Sequence, residues 1–432
     1  MVKNLCGCER WKFDMASCGR TIRSMIADGL THLILLLALA GFPGQPELLA
    51  KDPRGRDLTE FLLRPTAEVA QRVREWNVAE LLHLLPVAAP YRVAPAAPAG
   101  RVDLPSGGYY LYELPEGYDA ERKWPAIFSL HGNPPRHCER VHYKYWRGDA
   151  ARRGFILISP NLDGGRWHRE IGEETFFEAF RDAVVRFHLD QDRLFLNGYS
   201  AGATGTWNIG SRHPDLFAGI VVRCGIRRVS DGELANLKGR GVYVIHAVED
   251  SKCGIRQARL AVDVLKRMDV LHRYVEYPGE HDFYPQSNED VLDFLSTLSL
   301  PEQDRIRVTA PFDAERRILG FVSLAGDNHT VSAVCDTGTC KVDVTHIERL
   351  RHLDVWVRVS QLSNPDDPVS IILNGTPLDL RPTPTVEAFL RSWMLHPSLA
   401  PQDVADPFLA CCRVARDGQI LTPPDCGAPV GR

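Results

Sequence analysis

At 432 residues the chain is too long for one ordinary core, so two or three domains are expected, and a hydrophobic share of 44% supplies the apolar mass for them. Its 51 basic residues stand against 55 acidic ones, for a net charge of −4. That balance excludes the electrostatic footprint of a nucleic-acid binder and a polybasic membrane patch, and points to partners that are uncharged or modestly charged.

Taken in chain order, residues 1–40 read as an export signal. Arg20 and Arg23 precede the apolar run 30–40, LTHLILLLALA, which ends in the small-residue triplet Ala38, Leu39, Ala40. Cleavage is expected after Ala40, giving a secreted or periplasmic protein with no stable membrane span; the run is short for a span, and an uncleaved anchor is the alternative. Trp11 and Asp14 interrupt the positive charge, so Met15 and Met25 are alternative starts. Of the 11 cysteines, Cys6, Cys8 and Cys18 lie ahead of that cleavage point. The others form no C-x-x-C pair and have no zinc-like spacing to histidine. Cys335 and Cys340 flank a turn between two alternating runs, where a hairpin disulfide and two free thiols are both open readings.

Residues 58–85 carry apolar positions at helical spacing, broken at Pro65, and 86–100 form a Pro and Ala rich linker; together they make a small helical region over 41–105. From 106 to 300 short apolar runs alternate with amphipathic stretches, the pattern of a mostly parallel α/β sheet with helices on both faces. Strands are expected at 109–113, 126–130, 155–158, 193–197, 219–223, 242–246 and 273–277, and helices near 173–188, 201–212, 255–268 and 288–298. Residues 301–432 change texture again. Short β-branched runs joined by turns predict a β-rich, sandwich-like accessory domain with a helix at 385–395.

The chemistry centres on residues 193–202, RLFLNGYSAG, where an apolar strand stops at Gly198-Tyr199-Ser200-Ala201-Gly202 and a helix follows. This is a G-x-S-x-G nucleophile elbow in the setting it requires. A serine hydroxyl attacks a carbonyl only when it is held exposed beside a general base, with N–H groups aimed at the developing oxyanion. Gly198 and Gly202 leave out the side chains that would clash in so tight a turn. The partners should follow at later strand ends in the order Ser, Asp, His. Asp250 lies in the loop after the strand 242–246, and His281 in the loop after 273–277. Ser200 is thus the expected nucleophile, His281 the base and Asp250 the acid, with Glu249 the alternative acid. His246 is expected to shape the acid loop, and Asp282 to be a solvated neighbour. Oxyanion donors are expected from the N–H of Ala201 and, after the strand 126–130, from that of Asn133, with Gly132 as the permissive hinge. For Trp167 and Tyr199 two readings stand: an aromatic wall for an aryl or sugar group, or core packing.

The stretches 109–132 and 192–225 resemble the secreted esterase branch of the α/β-hydrolases. That branch holds polyhydroxybutyrate depolymerase-like and feruloyl or acetylxylan esterase-like proteins, close to the prolyl oligopeptidase-type catalytic domain. The resemblance covers about 106–300 and implies the α/β-hydrolase fold, with nucleophile, acid and base at Ser200, Asp250 and His281. Ala203 and Ala247 stand where members commonly carry glycine. Residues 302–415, through 368–380, are similar to a β-rich extension of some bacterial members, which implies no chemistry of its own.

The resulting expectation is a secreted serine carboxylesterase acting on polymer-linked or glycan-linked esters, with no metal and no organic cofactor. A serine peptidase of the prolyl oligopeptidase type is a second reading, disfavoured because 41–105 is too short for a gating β-propeller. A noncatalytic surface-binding protein is a third.

Overall fold

A computed structural model of the chain describes residues 53–88, 97–133, 137–164, 166–214 and 216–300, and beyond them a set of strands and one helix between 307 and 421. The expected export signal, the centre of the linker and Cys340 of the hairpin pair lie outside the described residues.

Three helices come first: α1 (Pro53–Leu63), α2 (Ala67–Arg74) and α3 (Val78–Ala88). Pro65 ends α1 as expected, because its ring and missing N–H cannot sit in a helix interior, and Thr66 then caps α2 by accepting from the Val69 N–H at 3.3 Å.

The central sheet contains β1 (Ala99–Asp103), β2 (Tyr109–Glu113), β3 (Trp124–Leu130), β4 (Ile156–Pro160), β5 (Leu189–Tyr199), β6 (Gly219–Arg223), β7 (Gly241–Ala247) and β8 (His272–Tyr277). Their spatial order is β1-β2-β4-β3-β5-β6-β7-β8. The strands from β4 onward run parallel, and β1 and β2 form an antiparallel edge. Seven of these strands fall where the apolar runs predict them. β1 is the exception, lying at the end of the stretch read as linker. Its burial alternates between exposed and half-buried, so AGRVD carries almost no apolar signal. The sheet therefore begins near residue 99.

Between the strands lie α4 (Glu170–Arg186), α5 (Ala201–Arg212), α6 (Arg256–Arg267) and, after β8, α7 (Asn288–Ser296). The central strands are buried on both faces, which is why they read as continuous apolar runs rather than alternating ones. Phe128, Leu196, Val222 and Val244 point to the side covered by α4, α5 and α6. Ile127, Phe195, Val221 and Ile245 point to the side covered by α7 and Trp146. This doubly covered sheet brings the loops after β3, β5, β6, β7 and β8 to one edge, where ligands of such folds bind.

Past residue 300 two five-stranded sheets form, one from Arg316–Leu319, Val322–Gly326, His352–Arg358, Phe408–Ala415 and Ile420–Leu421, the other from Thr376–Leu380, Val369–Leu373, Lys341–Thr345, Thr330–Asp336 and Arg307–Asp313. Thr330–Asp336 and Lys341–Thr345 pair as the expected hairpin. Helix α8 (Val386–Leu395) matches the expected helix at 385–395.

The core of this C-terminal region is shared with the start of the chain. Leu58, Phe61, Leu62, Val73, Leu81 and Leu84 belong to the same buried cluster as Val355, Ile371, Phe389, Leu390 and Trp393. Phe61 packs on Phe389 with ring centroids 5.8 Å apart, the Trp393 indole donates to the Leu62 carbonyl at 3.2 Å, and Arg74 pairs with Glu387 at 2.7 Å. The cluster is tied to the central domain through α4, whose Val185 is buried within it and whose Arg181 donates to the Trp393 carbonyl at 2.5 Å. A chain cut after residue 300 but keeping α1–α3 would expose the apolar faces of those helices. It is expected to aggregate, whereas residues 97–300 alone should stay monomeric; size-exclusion chromatography of the two truncations checks this.

Candidate active site

Ser200 stands between β5 and α5 with φ +56° and ψ −117°, a left-handed conformation that costs a non-glycine residue of order 1–3 kcal/mol. The sharp turn depends on the glycines beside it. A Cβ on Gly198 would collide with the Gly202 carbonyl and the Thr206 hydroxyl, and one on Gly202 with the Leu130 carbonyl of β3. Ser200's own N–H donates to the Arg223 carbonyl at 2.9 Å, which ties the turn to the neighbouring strand.

The loops after β7 and β8 bring Asp250 and His281 to this serine. His281 Nε2 lies 2.9 Å from Ser200 Oγ, and Nδ1 lies 2.7 Å from Asp250 Oδ2. A carboxylate can only accept, so Nδ1 carries the proton and Nε2 is free to take the serine's. The Asp250 side chain is fully buried, and its Oδ1 accepts the N–H groups of Lys252 at 2.9 Å and Cys253 at 2.7 Å. Burial pushes its carboxyl pKa up, but the hydrogen bonds from His281 and these amides outweigh burial and hold it below the usual range.

Glu249, the alternative acid, is turned away: its carboxylate accepts the N–H of Gly279. Asp282 is exposed and accepts the Phe283 N–H at 2.7 Å. His246, buried at the end of β7, has Nε2 2.5 Å from the Cys253 carbonyl and 3.3 Å from Asp250 Oδ2, so it latches the acid loop shut.

Gly132 lies against the serine, since a Cβ there would sit 3.0 Å from Ser200 Cβ. Asn133, one residue on, is at the exposed lip, and Ala201 opens α5, where the first N–H groups have no intrahelical partner. The loop carrying Gly132 is tied down by His131, a residue the sequence analysis does not single out. Its Nε2 accepts the Leu162 N–H at 2.9 Å, which leaves Nδ1 to donate to the Gly132 carbonyl at 2.6 Å.

Trp167 is fully buried and donates to the His131 carbonyl at 2.9 Å. It supports the loop from behind and presents no wall to solvent, which corrects the first of its two readings. Tyr199 is 6% exposed. Its ring lies 5.2 Å from that of His281, and its hydroxyl donates to the His281 carbonyl at 3.3 Å, so it packs beside the base.

Burial lowers the pKa of both His131 and His142 to about 4. Between roughly pH 6.5 and that value the unfolded chain takes up protons that the folded chain refuses. Stability should therefore be complete above about pH 6.5 and fall as pH drops toward 4, by on the order of 3 kcal/mol per histidine at most. Thermal melts at pH 7, 5.5 and 4.5 check this, and an unchanged midpoint over the series would contradict it.

Among the described residues one group has metal-ligand chemistry. Donor atoms of Cys224, Asp250 and His281 lie within 4.8 Å of one another, but this is the same Asp–His pair already engaged with Ser200, and burial pushes the Cys224 thiol up to about 12. The residue most clearly passed over is Arg223. A lone arginine closing the otherwise apolar run 219–222 is the signal that could have found it.

A mostly parallel, doubly covered sheet with a serine at a strand-to-helix elbow and a histidine and an aspartate on later loops defines an α/β-hydrolase. No family model matches the sequence. The chain is 25% identical over 179 residues to dipeptidyl-peptidase 5 of Porphyromonas gingivalis, across 38% of this chain and 25% of that protein. It is 26% identical over 130 residues to a probable feruloyl esterase C of Aspergillus terreus, across 28% of this chain and 47% of that protein. The solved ferulic acid esterase of Anaeromyces mucronatus, in complex with ferulic acid, aligns with a TM-score of 0.38 at 17% identity, over 48% of this chain and 94% of that one. The match thus spans about half the length of the esterase relative and a quarter of the peptidase. The chain has the α/β-hydrolase fold, and its sequence likenesses run to both an esterase and a peptidase.

Proposed function

We propose that the chain is a serine carboxylic-ester hydrolase working through an acyl-enzyme at Ser200. The observation that carries this reading is the pair of contacts from His281, 2.9 Å to Ser200 Oγ and 2.7 Å to Asp250 Oδ2. Ser200 Oγ attacks the ester carbonyl carbon as its proton passes to His281 Nε2. The imidazolium so formed is stabilised by Asp250, and the oxyanion is held by the N–H groups of Ala201 and Asn133. His281 then gives the proton to the departing alcohol. Water repeats the sequence on the acyl-enzyme, releasing the acid and restoring the serine.

The ester is proposed to be linked to a polymer or glycan, and the protein to be exported by the segment ending near Ala40. Among the described residues no helix is long and apolar enough to cross a membrane. A panel of acetyl, feruloyl and hydroxybutyrate esters tests the substrate class. The likeness to a dipeptidyl peptidase keeps a peptidase reading in play, and dipeptidyl p-nitroanilides in the same panel decide it: turnover of these in preference to every ester would overturn the esterase proposal.

A further inference from the structure

Arg223 closes β6 and is completely buried. Among the described residues, every hydrogen-bond partner of its guanidinium is neutral. Nε donates to Asn197 Oδ1 at 3.0 Å; Nη1 to the carbonyls of Phe283 at 3.1 Å and Tyr284 at 3.3 Å and to Ser287 Oγ at 2.7 Å; Nη2 to Asn288 Oδ1 at 3.0 Å. The face of the Phe283 ring lies 4.2 Å from the guanidinium carbon. Burying a cation without a counter-ion is costly, and a valine such as Val221 or Val222 would end the strand without that cost. What the cation obtains is its position. Asn197 is on the strand that delivers Ser200, whereas Phe283, Tyr284, Ser287 and Asn288 all follow His281 directly. The carbonyl of the same residue accepts the Ser200 N–H.

We propose that Arg223 is a positioning residue that sets the separation of Ser200 and His281 by bridging the serine strand to the loop behind the base. The inference rests on the serine-hydrolase reading above. The planar fork suits this task because its donors diverge in fixed directions toward two elements at once, which an ammonium group cannot reproduce. A shift of about 1 Å in such a pair can cost on the order of 100-fold in rate.

The test uses the full chain and a p-nitrophenyl ester, with folding checked by circular dichroism. Arg223→Met should lower kcat about 100-fold with KM within about twofold, and Arg223→Lys should recover only part of the loss. Ser287→Ala, which removes one acceptor and leaves the buried cation in place, should lower kcat several-fold in the same way, and it decides the matter alone if Arg223→Met fails to fold. On a His281→Ala background, Arg223→Met should change the residual rate less than about twofold, because there is no base left to place. A folded Arg223→Met or Ser287→Ala protein with the wild-type kcat overturns the inference. So does an undiminished loss on the His281→Ala background, which would mark a merely structural role. Full activity of Ser200→Ala would instead overturn the underlying reading, and the two failures are distinguishable.

Discussion

Ser200→Ala is expected to lower ester turnover by on the order of 10⁶-fold while the fold and the thermal midpoint are kept, because the remaining base and amide donors have no oxygen to which the acyl group can pass. The alanine should, if anything, relieve little strain, since it too must occupy the left-handed conformation at φ +56°. A fluorophosphonate probe followed by peptide mapping gives the complementary result: wild type labelled on Ser200 alone, the variant unlabelled. Labelling at a different serine would move the nucleophile elsewhere.

The second large effect is expected at Asp250. Asp250→Asn presents an amide where Nδ1–H of His281 needs an acceptor, so the imidazole is driven to the tautomer with its proton on Nε2, facing the serine it should deprotonate. A fall in kcat of about 10⁴-fold follows, with KM little changed. Glu249→Gln should stay within about threefold of wild type, since that carboxylate is engaged with the Gly279 N–H and not with the base. Steady-state kinetics on one small ester compare the two directly. If Glu249→Gln is the crippling change, the acid has been misassigned.

These residues were legible in the sequence because their signals are local. The elbow is five consecutive residues, and its pattern is readable without knowing that Gly198 is demanded by its own turn and Gly202 by the neighbouring β3 backbone at Leu130. The fully buried strands announce themselves as unbroken apolar runs, and the loops carrying Asp250 and His281 are found by counting strand ends. Where burial is partial the signal fades, as at β1, whose half-exposed alternation gave nothing to distinguish it from linker. Trp167 was undecidable for a different reason: a cleft wall and a core contact both call for a large aromatic, and its complete burial, with the indole bonded to the His131 carbonyl, separates them. Arg223 and the common core of α1–α3 with the C-terminal strands depend on partners far along the chain. Helical periodicity in 58–85 says that an apolar face exists, not what covers it.

That common core has a consequence for synthesis. α1–α3 leave the ribosome before the central sheet, yet the C-terminal side chains that cover them, from Leu353 to Val414, come roughly 300 residues later. At about 5–20 residues per second that is a wait of at least about 15 s. During it the central sheet, whose own strands are all made by Tyr277, can assemble between two ends of a unit that does not yet exist. The apolar faces of the early helices are therefore open to chaperones, and to the late strands of a neighbouring nascent chain. Closing the unit requires bringing together segments separated by the whole hydrolase domain, so its assembly should be the slow, concentration-sensitive phase of refolding, following a faster recovery of the sheet that bears Ser200.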